Sequence, residues 1–223
     1  MLKEKLDSLA KKFGPPEKAE KFDPAVAARL QERVPAGLID FLREYGIGIW
    51  LKGRFQFCSC TEYDAICHEV LDGDSQFTPE ESAIFGFTAF GKVYMWNHRH
   101  KIVLKVNLAR MVASADSLNK TLRDPELDIS ANLTFIDKDH TDMFADTPSA
   151  PPMFAATLKR LGELDLGEVY GFVPALAIGG SAGITSVKKM KAREHLLMLA
   201  ELDRARLMNY NDGRERFIRT LGS

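Results

Sequence analysis

The sequence predicts an α+β fold in which a central, mostly antiparallel sheet is covered by helices. Three observations support this: a helical apolar stripe runs into a hairpin within Val34–Phe57, three β-rich runs follow one another between Ala83 and Asn107, and helical patterns occupy both ends of the chain. An apolar helical stripe needs a surface to cover, and consecutive strands joined by short turns pair antiparallel.

The Val34–Phe57 segment carries the clearest local signal. Apolar side chains between Leu38 and Tyr45 recur at i, i+3, i+4 and i+7, which places them on one face of a helix. Gly46 follows directly, where helices commonly end on a left-handed residue. The chain then becomes apolar and β-prone, and Phe55 and Phe57 alternate with polar residues as in a half-buried strand. We therefore expect a helix that leads into two paired strands.

Start and stop signals predict the remaining elements. Residues 1–13 have an amphipathic helical pattern, and Asp23 followed by Pro24 has the composition of a helix N-terminus. Further helices are expected at Thr61–Leu71, Ser114–Leu122, Phe154–Leu161 and Ala192–Leu202. In the last of these helices, the residues His195, Met198, Leu199 and Leu202 share a stripe. A strand is expected at Leu133–Ile136, and a buried segment with a turn at Gly171–Gly180.

Bulk composition limits the classes of protein to consider. The chain has 223 residues, 45% hydrophobic and 27% charged, with a formal net charge of −1. This balance excludes a disordered chain and gives no electrostatic reason to expect direct binding of nucleic acid. Three cysteines, an odd number, favour reduced thiols and a cytoplasmic location, and no run approaches the roughly 20 apolar residues of a membrane span. The N-terminus also lacks the apolar core of a secretory signal.

Charge is nevertheless unevenly distributed along the chain. No Lys or Arg occurs between Cys58 and Gly91, and 124–146 is also acidic, whereas 92–123 and 188–219 are basic. One interpretation is that the acidic segments meet a basic partner and accelerate its capture. The alternative, which composition alone favours, is that these segments are solvated loops that keep the protein soluble.

Several short motifs contain residue types found in metal-binding or phosphate-binding sites but lack the spacing that such sites require. Cys58-Ser-Cys60 and Cys67-His68 depart from the Cys-x₂₋₄-Cys spacing of zinc sites, and the acidic run 137–142 lacks the Gly and Glu of a calcium loop. His98-Arg99-His100 is best explained as an exposed turn. Gly179–Gly183 lacks the Gly-Lys-Ser/Thr continuation of a phosphate loop. We expect no catalytic residues, no metal and no cofactor.

Two stretches resemble known families. Residues 13–66, with Phe13-Gly-Pro-Pro, a Pro-x-x-Leu helix ending in Tyr45-Gly and a following hairpin, resemble the GAD-like domain. Residues 170–208, with Gly171-Phe-x-Pro-Ala-Leu-x-x-Gly-Gly and a His195-Leu-x-x-Leu-Ala helix, resemble the C-terminal domain of immunity proteins of type VI secretion DNase toxins. The strands between them look similar to the SUKH class of immunity proteins. The resemblance implies a GAD-like domain at 1–112 and an immunity-protein domain at 113–223, packed together.

The resemblance implies a cytoplasmic, non-enzymatic antitoxin that binds a cognate secreted toxin by stoichiometric protein–protein inhibition. A DNase toxin must present a basic cleft to DNA phosphates, which an acidic inhibitor surface would complement. We therefore expect the contact residues to be acids of the two acidic segments with two aromatic anchors: Glu62, Tyr63, Asp64, Glu69, Asp72, Asp74, Asp137, Asp139, Asp142, Phe144 and Asp146.

Two alternatives stay open at this point. The chain could be a small-molecule or nucleotide-binding enzyme that uses the Gly179–Gly183 turn with a nearby histidine such as His195. It could also be a scaffold module whose partner is not a toxin. The neighbouring reading frame would separate these hypotheses most directly.

Overall fold

A computed structural model describes residues 1–115, 124–138, 153–211 and 214–222, and it has the α+β architecture expected from the sequence. The helices are α1 Leu2–Phe13, α2 Pro24–Leu30, α3 Ala36–Tyr45, α4 Asp64–Leu71, α5 Leu127–Leu133, α6 Met153–Leu161 and α7 Ala192–Leu202. The strands are β1 Lys18–Glu20, β2 Ile47–Trp50, β3 Phe55–Phe57, β4 Ser82–Thr88, β5 Lys92–Asn97, β6 Ile102–Asn107, β7 Val112–Ser114, β8 Glu168–Phe172, β9 Val187–Lys191, β10 Arg206–Asn211 and β11 Arg214–Thr220.

One large sheet organises the molecule. Its nine strands follow the order β1-β2-β3-β4-β5-β6-β7-β10-β11, and every neighbouring pair is antiparallel except β7 and β10. Strands β8 and β9 form a separate antiparallel pair. Strands β2 to β7 are therefore added antiparallel in chain order, with α4 inserted between β3 and β4, and the last hairpin of the chain completes the sheet.

The two faces of this sheet bury separate cores, because side chains alternate along each strand. On β5, Tyr94 and Trp96 join the core under α1, α2, α3 and α5, while Val93 and Met95 join the core under α4, α6 and α7. We call the first the α3 face and the second the α7 face. Each helix thus covers one side of the same sheet with its apolar stripe.

Local sequence signals explain the element boundaries on the α3 face. The carboxylate of Asp23 accepts a hydrogen bond from the backbone N–H of Ala25 at 2.8 Å, which caps α2. Helix α3 ends at Gly46, which has a φ of 81° and donates its N–H to the carbonyl oxygen of Leu42. A Cβ at Gly46 would lie 2.4 Å from the carbonyl oxygen of Glu20, so only glycine permits this close approach.

The two halves of the chain are joined by strand pairing and by hydrogen bonds. Strand β7 pairs with β10, so the sheet continues across the predicted division at residue 112. The amide of Gln56, which is 1% exposed, donates to the carbonyl oxygen of Glu168 at 2.8 Å and accepts from the N–H of Gly167 at 2.9 Å. Tyr170 donates its N–H to the carbonyl oxygen of Ala89 at 2.7 Å. The division into two domains stays a prediction.

Several predicted elements were wrong in type or extent. Residues Leu133–Ile136 are not a strand; Leu133 ends α5, because its apolar residues are spaced for a helix lying on β6. The predicted helix at Ser114–Leu122 begins within β7, and 116–123 lie outside the described residues. The helix expected at Thr61–Leu71 begins at Asp64, since a 3-10 helix at Cys60–Tyr63 precedes α4.

Candidate partner-binding surface

The first acidic segment lies on the α7 face of the sheet. It runs through the 3-10 helix into α4, whose apolar residues Ile66, Cys67, Val70 and Leu71 point into the core. Its outer side leaves Glu62 and Asp72 exposed to solvent, with Asp64 and Glu69 half-buried between them. The acids predicted from the sequence are therefore divided between a solvent-facing group and a packed group.

Asp64 is already paired within the chain. Its two oxygens accept hydrogen bonds from the guanidinium of Arg33 at 3.2 and 2.8 Å, and the same guanidinium donates to the carbonyl oxygen of Ser82 at 2.6 Å. This contact links the turn after α2 to the start of α4 and of β4. Because Arg33 balances its charge, Asp64 adds little net negative potential to the surface.

Asp74, one of the predicted contact residues, is buried and hydrogen-bonded within the chain, and its role in partner contact stays a prediction. Its carboxylate accepts from the backbone N–H groups of Gln76, Phe77 and Gly222 at 2.9, 2.8 and 3.0 Å and from both terminal nitrogens of Arg219. Burial alone would raise the pKa of Asp74, but these donors outweigh burial and lower the pKa to about 2. The carboxylate thus fastens the C-terminal strand to the loop after α4.

Tyr63, the predicted aromatic anchor, is also buried in the folded chain. It is 2% exposed and its ring packs against Phe87 at a centroid distance of 5.3 Å. Tyr63 ends the 3-10 helix, and that turn directs the ring inward although its neighbour Glu62 remains exposed, so its role as an anchor stays a prediction.

Only part of the second acidic segment lies within the described residues. Asp137 is half-buried, and its Oδ2 lies 3.4 Å from Nζ of both Lys12 and Lys138. Burial opposes ionisation of Asp137, yet hydrogen bonding and attraction to these lysines lower its pKa. Asp137 therefore joins the region after α5 to α1 on the α3 face. The predicted contact residues Asp139, Asp142, Phe144 and Asp146 lie outside the described residues.

Helix α7 extends the acidic surface formed by the 3-10 helix and α4, against which it packs. Partial burial raises the pKa of Glu62, Arg193 lowers it, and Glu20 and Glu194 raise it, so charges on α7 act on the 3-10 helix. Glu201 is a second exposed acid, two turns beyond Glu194 on the outer side of α7. Sequence patterns missed this convergence because 120 residues, from 72 to 191, separate the two helices.

Exposed apolar side chains lie beside these acids, contrary to the expectation that they would be buried. Met198 and Leu202 of α7 are each 38% exposed, although His195 and Leu199 from the same predicted stripe are buried. In the predicted buried turn Gly171–Gly180, Ile178 is 64% exposed. The apolar stripe of α7 is wider than the surface beneath the helix, so its edge remains in solvent. We call Glu62, Glu69, Asp72, Glu194, Met198, Glu201 and Leu202 the α4–α7 surface.

The cysteines and the histidine considered for small-ligand chemistry are buried in the fold. Cys58, Cys60 and Cys67 are buried free thiols, and the described ranges contain no group of three or more metal-ligating side chains. His195 is 5% exposed and lies against Gly171, and burial lowers its pKa. A Cβ at Gly180 would lie 1.9 Å from the carbonyl oxygen of Pro174, so this glycine is required by the turn itself. Among the described helices, none has the length and apolar character needed to cross a bilayer.

Comparison with known proteins identifies both halves of the chain. Residues 4–110 match the GAD-like domain, and residues 132–203 match the C-terminal domain of the T6SS immunity protein Tdi1. The crystal structure of Atu4351 from Agrobacterium tumefaciens is similar over 97% of this chain and 98% of that chain, with a TM-score of 0.90 and 30% sequence identity. No curated protein matches the sequence.

Along the chain, the match to the GAD-like domain is thus followed by the match to an immunity domain. The chain belongs to the family that combines the GAD-like domain with the Tdi1 C-terminal immunity domain. The second match supports a role as an immunity protein of type VI secretion, with a cognate toxin as its partner.

Proposed function

We propose that this chain is a cytoplasmic antitoxin that neutralises a type VI secretion DNase by forming a stoichiometric complex with it. The match of residues 132–203 to an immunity domain carries this proposal. The α4–α7 surface supports it, because Glu62, Asp72, Glu194 and Glu201 are exposed acids brought together from two distant parts of the chain.

Electrostatics gives this surface a specific role in binding. A DNase that contacts several phosphates must present clustered Lys and Arg side chains. An acidic surface accelerates encounter with such a cleft, since opposite potentials steer diffusion at distances up to about 10 Å in 0.1 M salt. Occupation of the cleft by the antitoxin would then exclude DNA from it.

The direct test uses the purified chain and the protein encoded by the adjacent reading frame. We expect a 1:1 complex in which cleavage of plasmid DNA is abolished at equimolar antitoxin. Binding that leaves DNA cleavage intact would contradict the DNase assignment. Absence of any complex would contradict the proposed antitoxin function.

Charge reversal tests the steering role of the α4–α7 surface. The double substitution Glu62→Lys and Asp72→Lys should slow association roughly three- to tenfold at low salt and weaken its salt dependence, because both carboxylates face solvent. Stopped-flow association across a salt series measures this effect. Asp74→Lys is unsuitable, since that carboxylate is buried beneath Arg219.

Asp40→Lys, compared with the single substitution Asp72→Lys, provides the matched control, because both variants reverse one exposed acid. Asp40 is an exposed acid of α3, on the opposite face of the sheet, so its reversal should leave association within about twofold. An equal slowing by Asp40→Lys would mean that net charge, and not the α4–α7 surface, governs capture.

A further inference from the structure

Exposed large apolar side chains are concentrated in the C-terminal part of the described chain. Of eight such residues, four lie between Val173 and Leu202: Val173, Ile178, Met198 and Leu202. Scattered exposed apolar residues are ordinary, whereas a contiguous group bordered by charge is characteristic of a protein-binding surface. Whether these residues form a binding surface therefore depends on where they lie relative to one another.

Helical geometry places Met198 and Leu202 beside the loop that follows β8. His195, Met198 and Leu202 lie along one side of α7 because they are three and four residues apart. The ring of His195 contacts Gly171 of β8, so this side of α7 faces β8 and the loop that follows it. The 3-10 helix Leu176–Ile178 in that loop packs against α7.

Because the 3-10 helix packs against α7, we infer that the exposed side chains of Ile178, Met198 and Leu202 lie on the same side of the molecule, and we call these three residues the apolar ridge. Leu176 is partly buried against the core beneath it and holds the loop in place. The exposed acids Glu194 and Glu201 occupy the outer side of α7 directly beside the ridge. An apolar centre bordered by charged side chains is the usual anatomy of a specific interface.

We propose that this ridge is the apolar anchor of the interface with the effector, an inference that rests on the proposed antitoxin function. The acids beside it indicate the partner's chemistry: an apolar patch of the effector bordered by Lys or Arg side chains. Desolvated apolar anchors contribute mainly to the lifetime of a complex, whereas rim charges contribute mainly to its rate of formation. The ridge therefore determines dissociation, and the acids of the α4–α7 surface determine association.

The test compares how fast the effector dissociates from two antitoxin variants, one with three substitutions and one with two. The ridge variant combines Ile178→Ser, Met198→Ser and Leu202→Ser; the control combines Phe217→Ser and Ile218→Ser on β11, which are 58% and 41% exposed. All five side chains are partly in solvent, and thermal unfolding of each variant checks that the fold is kept. Surface plasmon resonance at 0.1 and 0.5 M NaCl measures both rate constants.

We expect the ridge variant to dissociate at least tenfold faster at both salt concentrations, with association changed by less than twofold, and the control to resemble the unmodified chain. The effect should persist in 0.5 M salt because apolar contacts are not screened. Dissociation of the ridge variant within twofold of the unmodified chain, or an equal acceleration in the control, would overturn the anchor while leaving the antitoxin function standing. Absence of binding by the unmodified chain would overturn both.

Discussion

The two faces of the central sheet differ in whether the helices that cover them also expose apolar side chains to solvent. On the α3 face, Phe41 packs against the rings of Tyr45, Trp50 and Phe57 at centroid distances of 4.7, 6.1 and 5.1 Å. This aromatic cluster packs α3 onto strands β2 and β3. On the α7 face, the core is just as complete, but the helices that cover it also carry clustered acids and exposed apolar side chains outward.

This difference separates stability from recognition. The α3 face holds the sheet by burying aromatic surface, so substitutions there should act on folding. The outer side of α4 and α7 contributes little to the core, so substitutions there should act on binding. Asp72 and Asp74 show the same contrast although only two positions separate them. Asp72 faces solvent, whereas the carboxylate of Asp74 accepts hydrogen bonds from five donor groups.

The largest expected effect tests the α3 face. Phe41→Ala should lower the free energy of unfolding by about 3–5 kcal/mol, because it removes a buried ring and leaves a cavity among three aromatic neighbours. Urea unfolding measures the loss. At temperatures where the variant is folded, its association rate with the effector should equal that of the unmodified chain. A slower association by the folded variant would break the proposed separation of stability from recognition.

An intermediate effect is expected at Asp74. Its pKa is about 2 in the folded chain against an ordinary 3.8, so its stabilising contribution is complete above pH 3.8 and is lost as pH falls toward 2. Asp74→Asn should therefore reduce the free energy of unfolding at pH 7 by about 2 kcal/mol and flatten its dependence on acid. Chemical denaturation between pH 2 and 7 measures both changes.

Asp72→Asn is the matched control, because the side chain of Asp72 is exposed at the end of the same helix. Its stability should stay within about 0.5 kcal/mol of the unmodified chain at every pH. A similar loss in the two variants would show that the general charge of this segment, and not the buried carboxylate, stabilises the C-terminal strand.

The smallest effect concerns His195 on the α7 face. Burial lowers its pKa, so the folded chain holds the ring neutral at pH values where the unfolded chain already protonates it. Stability should therefore fall as pH drops below the unfolded pKa of about 6.5, and His195→Leu should remove this part of the pH dependence. Unfolding at pH 7.5 and 5.5 measures it. An unchanged pH dependence in the leucine variant would assign the effect to another group.

Local patterns in the sequence were sufficient for about half of the architecture. The periodicity of α3, the glycine at its end, the β2–β3 hairpin and the three consecutive strands β4, β5 and β6 were all predicted, because each is specified by neighbouring residues. The last hairpin, β10–β11, was not predicted. Its parallel pairing with β7 joins residues about 90 positions apart, and no local signal records such a contact.

The candidate surface was recognised only in part for the same reason. Composition drew attention to the acidic segment around α4, but it could not distinguish exposed Glu62 from buried Tyr63 or exposed Asp72 from buried Asp74. The acids of α7 and the ridge of Ile178, Met198 and Leu202 had no acidic run or exposed pattern to mark them.

The sequence by itself determined the α+β class, the family and the acidic character of one surface, because propensity, periodicity and charge are properties of neighbouring residues. Only the tertiary structure decided which acids reach solvent, that α7 joins α4, and that the edge of an apolar stripe remains uncovered. Those outcomes depend on how much of each helix the sheet and the neighbouring elements cover, and these elements come from distant parts of the chain.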